Sequence, residues 1–355
     1  MSVSKRSLKL VACLSAFVFL VGSIACNSGN GVVTLQGAGA SFPAPLYQKW
    51  VSEYGKLHSN VRIDYQSIGS GGGIKQLKEQ TVSFGASDAP MKDDDMKSAP
   101  GEVVHIPTVL GAVVITYNLA GVSQSLHFTP EIIADIYLGK IKKWNDAKIA
   151  AENSGVTLPA NDIIVVYRSD GSGTSAVFTD YLSKVSPEWK GKVGTGTSPN
   201  WPTGLGAKGN EGLTGQVKKT PNTIGYTELA YAVQNKLAVG QVKNAAGNYV
   251  APTIEAVTAA AAASAGNTPD DLRVSITNAP GADAYPISSY TYILVYKDQK
   301  DALKGKAVVD FLWWGIHDGQ AFAKDLQYAT LPADIVKRAE GKINSITAGG
   351  TALRS

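Results

Sequence analysis

An α/β fold with two lobes is what this 355-residue sequence predicts, and three observations carry the prediction. Strand-like and helix-like segments alternate along most of the chain, the pattern of α/β architecture. Two strongly apolar strands, residues 109–115 and 292–296, lie far apart in sequence and mark two crossings between lobes. One lobe is then built from both ends of the chain and the other from its middle. Finally, three stretches share one grammar, an apolar strand, a Gly/Ser loop and an amphipathic helix: residues 33–43, 68–75 and 163–175.

Taken in order, the first strand runs into Gly37-Ala38-Gly39-Ala40-Ser41-Phe42-Pro43, and Pro43 or Pro45 opens a helix with Leu46, Trp50 and Tyr54 along one face. Residues 61–65 alternate as a strand should. The loop Gly69-Ser70-Gly71-Gly72-Gly73 leads to a helix over 73–80. A strand ending at Tyr167 leads through Arg168-Ser169-Asp170-Gly171-Ser172-Gly173 to a helix that starts near Thr174 or Ser175 and runs to 185. Gly, Asn and Pro mark loops around 195–210 and 245–252, and the Ala-rich run 256–265 reads as a small-residue surface helix. No tandem repeat has a solenoid period.

The N-terminus carries an export signature. Lys5, Arg6 and Lys9 precede a mostly apolar run of 15 residues, 10–24, short for a bilayer span and suited to a signal peptide over 1–25. Ser23-Ile24-Ala25 is a small-x-small cleavage pattern that would leave Cys26 first, where bacterial lipoproteins carry their lipid. Leu is usual where Ser23 stands, so ordinary secretion with a spare thiol is the alternative. No later segment reaches ~18 uninterrupted apolar residues. After cleavage 330 residues remain, enough for two domains, with 30 Lys and Arg against 29 Asp and Glu. So even a balance argues against nucleic-acid or polyanion binding. Of the two cysteines, Cys13 leaves with the signal, so no internal disulfide can form.

The three loops point to a small oxyanion. A helix N-terminus has unpaired N–H groups and a partial positive charge, glycine lets backbone approach a ligand, and Ser or Thr hydroxyls add neutral donors. A capped turn is the ordinary reading of 168–175, but a cap does not require Arg168, which can offer two parallel donors to a tetrahedral anion. Asp170 either holds that guanidinium or caps the turn. For Asp88, in Phe84-Gly85-Ala86-Ser87-Asp88-Ala89-Pro90, the ordinary reading is an N-cap for the segment 91–97. The functional reading is an acceptor for the proton that phosphate carries near neutral pH. Sulfate has no such proton and would meet an unpaired, repelling carboxylate.

Other motifs fail. Gly204-Leu205-Gly206-Ala207-Lys208-Gly209 fits a dinucleotide-binding pattern but follows Trp201-Pro202-Thr203 rather than a strand, and Gly171-Ser172-Gly173-Thr174-Ser175-Ala176 lacks an acidic strand end some 20 residues on. No phosphate-binding Lys-Ser/Thr loop and no nucleophile elbow occur. His58, His105, His127 and His317 show no metal-ligand spacing, so neither a cofactor nor a catalytic residue is expected.

Five stretches in order resemble the signatures of the periplasmic phosphate-binding proteins, the solute receptors of phosphate ABC transporters: 37–45, 84–90, 136–146, 168–175 and 201–206. The resemblance runs from about residue 33 to near the C-terminus. It implies a type II, Venus-flytrap periplasmic-binding-protein fold with two crossover strands, lobe I being 31–108 with 285–355 and lobe II 109–284. It implies that phosphate meets Ser41, the Phe42 N–H, Ser70, Asp88, Arg168, Ser172, Gly173 and Thr174, with Asp170 pairing Arg168. Ser41 stands where many relatives have Thr, and Gly71 replaces a Ser of some relatives. The expected protein is a monomer outside the cytoplasmic membrane, periplasmic or lipid-anchored, that delivers phosphate to membrane permease subunits. The basic run 140–143 with Trp144 is a candidate for the docking face, a solvated helix end being its plain reading. The alternatives are a receptor for sulfate or molybdate, a secreted phosphatase, and an adhesion protein with a vestigial site.

Overall fold

The structure, a computed structural model, describes residues 31–122 and 124–354, so the expected signal peptide and Cys26 lie outside the described residues. The first half of the fold starts from β1 (Val33–Gly39), which lies between two parallel neighbours, β2 (Val61–Ser67) and β3 (Phe84–Ser87). Parallel neighbours need crossovers, and α1 (Ala44–Leu57) and α2 (Ser70–Lys78) supply them. β4 (Val103–Asn118) is buried at 15 of its 16 positions, so its sequence reads as a continuous apolar run rather than an alternation.

The second half holds β5 (Ile164–Arg168), β6 (Leu205–Ala207) and β7 (Thr223–Glu228), with α3 (Gly173–Val185) and α4 (Gly209–Lys219) following β5 and β6. The chain returns through β8 (Ser288–Tyr296) and α5 (Ala302–Ile316). The resulting order is β2-β1-β3-β8-β4-β7-β5-β6, with Ala238–Val239 also beside β4. β4 pairs antiparallel with β8 over 103–112 and with β7 over 113–118, so one strand serves both halves of this two-lobed periplasmic-binding-protein fold. A bulge between Thr291 and Tyr292 leaves Thr108 without a cross-strand partner. Its hydroxyl meets Tyr47 at 2.7 Å and gives a hydrogen bond to the Thr291 carbonyl.

Each half has an aromatic core. Trp50 and Tyr54 on the buried face of α1 pack on Phe311 and Trp314 of α5, Tyr47 stacks on Trp50, and the Trp50 indole donates to the Gly319 carbonyl at 2.7 Å. In the other half Tyr137, Phe178, Trp201 and Tyr226 stack together behind β5.

Several expectations shift. α2 begins at Ser70, three residues before the predicted start, so Gly71, Gly72 and Gly73 are helical rather than looped. Glycine disfavours a helix by propensity, but a Cβ at Gly73 would collide with the Ala38 carbonyl and Gly39, so close packing of α2 on β1 decides. Similarly, α3 starts at Gly173, and Ser172 caps it by accepting from Ser175 N–H at 3.0 Å. The Ala-rich helix Ile254–Ser264 is not a plain surface helix, since Ala256, Val257, Ala260 and Ala261 bury one face. Asp88 caps nothing: the short helix Asp93–Lys97 has Lys92 at its N-cap. Trp144 is fully buried, its indole donating to the Asn222 carbonyl, while Lys140 pairs with Asp135 and Glu188, and Lys143 with Asp162. The run 140–144 lies between the helices Pro130–Tyr137 and Ala147–Glu152, with Lys140 and Lys143 in ion pairs and Trp144 turned into the core.

Candidate functional site

Four helix N-termini converge where the two halves meet, one more than the sequence announced. Ser41 and Phe42 precede α1, Ser70 opens α2, Ser172, Gly173 and Thr174 open α3, and Gly209 and Asn210 open α4. Arg168 ends β5 and Asp88 follows β3. All of the expected ligand residues are buried and brought together. The Gly71 N–H donates to the Gly171 carbonyl at 2.8 Å, joining two of the loops. A Cβ at Gly173 would collide with Ser70 Oγ and Asp88 Oδ2, which is why only glycine fits there. Gly69, at φ +87°, faces Asp170 and Gly171 just as closely.

Arg168 is held on every side. Its Nε and Nη2 donate to Asp170 Oδ1 and Oδ2 at 2.7 and 2.5 Å, and its Nη1 donates to Asn210 Oδ1 at 3.3 Å. Its backbone N–H donates to the Tyr226 hydroxyl, which also meets Ser175 Oγ at 2.6 Å. Burial pushes the Asp170 carboxyl up, but hydrogen bonds and charge from Arg168, with the Gly209 N–H, outweigh it and hold it below the usual range. The pair is thus ionised on both sides and nearly neutral in sum. Any second anion here meets hydrogen-bond donors more than net charge.

The hydroxyls are polarised in one sense. Asn210 N–H donates to Ser41 Oγ at 3.2 Å, Asp88 N–H to Ser70 Oγ at 3.3 Å, Ser175 N–H to Ser172 Oγ at 3.0 Å, and Asn210 Nδ2 to Thr174 Oγ1 at 3.3 Å. Each oxygen therefore already accepts a bond from a nitrogen that cannot accept one back. Among the described residues the Ser41, Ser70 and Ser172 hydroxyl protons have no protein acceptor in hydrogen-bond geometry, while Thr174 lies close enough to the Asp88 carboxyl to draw its titration down.

Asp88 is the opposite pole. Its Oδ1 accepts from Thr291 Oγ1 at 2.9 Å, while its fully buried Oδ2 has no partner within the protein. Burial pushes its carboxyl from 3.8 up to about 7, against the pull of Thr291, Arg168 and Thr174. The centre thus holds several donors around a single acceptor of unusual basicity.

Asn210, Thr227 and Thr291 escaped the sequence reading. Thr227 donates to Asn210 Oδ1 at 3.2 Å. The missed signal was Gly204–Gly209: β6 does run through it at Leu205–Ala207, paired parallel to β5, and delivers α4. The four histidines lie elsewhere. His105 is buried, where its Nε2 accepts from the Met91 N–H and burial pushes it down to about 4. Among the described residues no group of three metal-ligating side chains occurs.

A family model described as the PBP superfamily domain matches residues 26–314. The phosphate-binding protein PstS of Xylella fastidiosa is 46% identical over 309 residues, covering 87% of this chain and 84% of that protein. This chain belongs to the PstS family. The PstS of Methanocaldococcus jannaschii is 37% identical, with 96% of each chain covered. Among solved structures, the phosphate-binding protein of Stenotrophomonas maltophilia superposes with a TM-score of 0.67 at 21% identity, covering 87% of this chain and 93% of its own. A periplasmic phosphate-binding protein solved with phosphate at pH 8.5 gives 0.70 at 21% identity, covering 90% and 97%. Both share the fold of this chain.

Proposed function

We propose that this chain captures one singly protonated inorganic phosphate between its lobes, outside the cytoplasmic membrane, and hands it to the membrane permease subunits of an ABC importer. The unpartnered, basic Oδ2 of Asp88, in a buried cluster that also holds the hydroxyls of Ser70 and Thr174, carries the reading. A tetrahedral dianion with one proton supplies acceptors for Ser41, Ser70, Ser172, Thr174, Arg168 and the Phe42 and Gly173 N–H groups, and a donor for Asp88. Sulfate and molybdate supply no donor. The names of the relatives agree with this ligand. Hydrolysis would need a nucleophile with an adjacent base or a metal, and the cluster offers neither pairing. The protein is therefore a receptor rather than an enzyme.

Lobe I comprises 31–108 and 285–355 and lobe II 109–284, bending about β4 and the segment entering β8. The contacts Gly71–Gly171 and Ser41–Asn210 then belong to the closed form. Among the described residues no helix is long and apolar enough to cross a membrane. In this reading the protein works as a monomer, and a lipid at Cys26 would hold it at the membrane. Calorimetric titration of the mature protein, freed of carried-over phosphate, tests the reading. One-to-one phosphate binding, with a sulfate response that fades as pH rises above 7, supports it. Sulfate binding alone, or silence with both, overturns it.

A further inference from the structure

Asn210 lies at the start of α4, fully buried, and touches more of the site than any residue singled out from sequence. Its amide orientation follows from chemistry. A guanidinium has donors only, so the atom facing Arg168 Nη1 is the oxygen, and the Thr227 hydroxyl donates to the same atom. The nitrogen therefore faces Thr174 Oγ1, 3.3 Å away, and must donate to it. Thr174 is left with its proton turned away from Asn210. On the other side, the Asn210 backbone N–H performs the same service for Ser41, across the boundary between the halves.

We infer that Asn210 is a positioning residue for anion capture: its side-chain amide fixes the Thr174 hydroxyl as a donor and steadies Arg168 without adding charge. The inference rests on the reading that this centre binds phosphate. Three requirements explain the residue type. The side chain must accept from Arg168 and donate to Thr174 at once, which aspartate cannot do when ionised. It must be neutral, because a carboxylate would repel the ligand. It must also be short, because it is enclosed by β5, β7 and α3.

Phosphate titrations of Asn210→Asp, Asn210→Ala, Thr174→Val and the two double variants test this, with thermal melts confirming that each folds. Asn210→Asp keeps the shape but takes the Thr174 proton for its own carboxylate and adds charge, so binding weakens by about 100-fold or more. Asn210→Ala leaves Thr174 free to rotate and weakens binding by only about 3- to 10-fold. A role in packing alone gives the reverse order, since aspartate is the closer replica. In the Thr174→Val background the Asn210→Ala loss shrinks to the part due to Arg168, and the Asn210→Asp loss shrinks by about tenfold, leaving the part due to charge. Losses that stay unchanged in that background, or equal losses for both replacements, overturn the inference. Should Asn210→Asp not fold, a smaller Asn210→Ala loss in that background than in wild type decides alone. Silence of the wild-type protein toward phosphate instead overturns the function it rests on.

Discussion

Asp88→Asn removes the acceptor to which the proposed function assigns the ligand's proton, and its consequences can be worked through by pH. In the ligand-free protein burial lifts the Asp88 carboxyl from 3.8 to about 7. That shift of roughly three units corresponds to about 4 kcal/mol between the two protonation states. Since the folded-state value is the higher, the stabilisation from Asp88 is full below about pH 4 and is lost as pH rises to about 7. The variant has no such loss, so without ligand it melts above wild type at neutral pH and close to it in acid.

The same proton governs selectivity. Sulfate fits the wild-type site only when Asp88 is itself protonated and can donate. Sulfate affinity therefore falls about tenfold per pH unit above pH 7 and levels off in acid. The amide of the variant donates at any pH, so its sulfate affinity is flat and its preference for phosphate drops. Calorimetric titrations with both anions across the neutral range measure both effects. A wild-type sulfate affinity that does not change with pH, or a variant with undiminished preference for phosphate, would refute the proton-acceptor argument.

Three further outcomes follow from the geometry. Gly173→Ala drives a methyl group into Ser70 Oγ and Asp88 Oδ2, so phosphate binding measured by calorimetry is lost, while circular dichroism shows both halves still folded. Glu228 is fully buried at the end of β7, where Oε2 accepts from the Ala230 N–H and Tyr328 while Oε1 has no partner, and burial pushes its carboxyl well up. Its stabilisation is present below its unfolded value of 4.5 and declines as pH rises, so the melting-temperature gap in favour of Glu228→Gln widens toward alkaline pH. Trp50→Ala empties the aromatic core beside Gly315 and Gly319 and destabilises the fold by about 3–5 kcal/mol in denaturant titrations. Phosphate affinity of the folded fraction stays unchanged, because no ligand group touches Trp50.

The loops at Ser41, Ser70 and Ser172 were legible because each follows an apolar strand and carries glycine where backbone must come close. Asp88 stands out in the sequence by its chemistry, and the structure places it beside Ser70 and Gly173. Asn210 and Thr291 were not, because their roles depend on partners far away in sequence, Ser41 and Asp88 respectively. Gly204–Gly209 misled for a related reason: β6 is only three residues long and has no apolar run to announce it. The start of α2 was placed late because Gly71–Gly73 read as loop until packing against β1 is known. Likewise Trp144 beside three lysines looked like a surface feature, and only its burial corrects that.

The double service of β4 has a mechanical consequence. A joint made of a loop would let the two halves swivel, twist and slide independently. Here the joint is the interior of a strand, hydrogen-bonded to β8 before residue 113 and to β7 after it. Such a beam resists torsion and sliding and yields mainly in one plane. In the closure proposed above the halves would meet along a single arc, bringing Ser41 and Asn210 into register without a search. A permease of the proposed kind would then need to sense only how far along that arc the molecule stands.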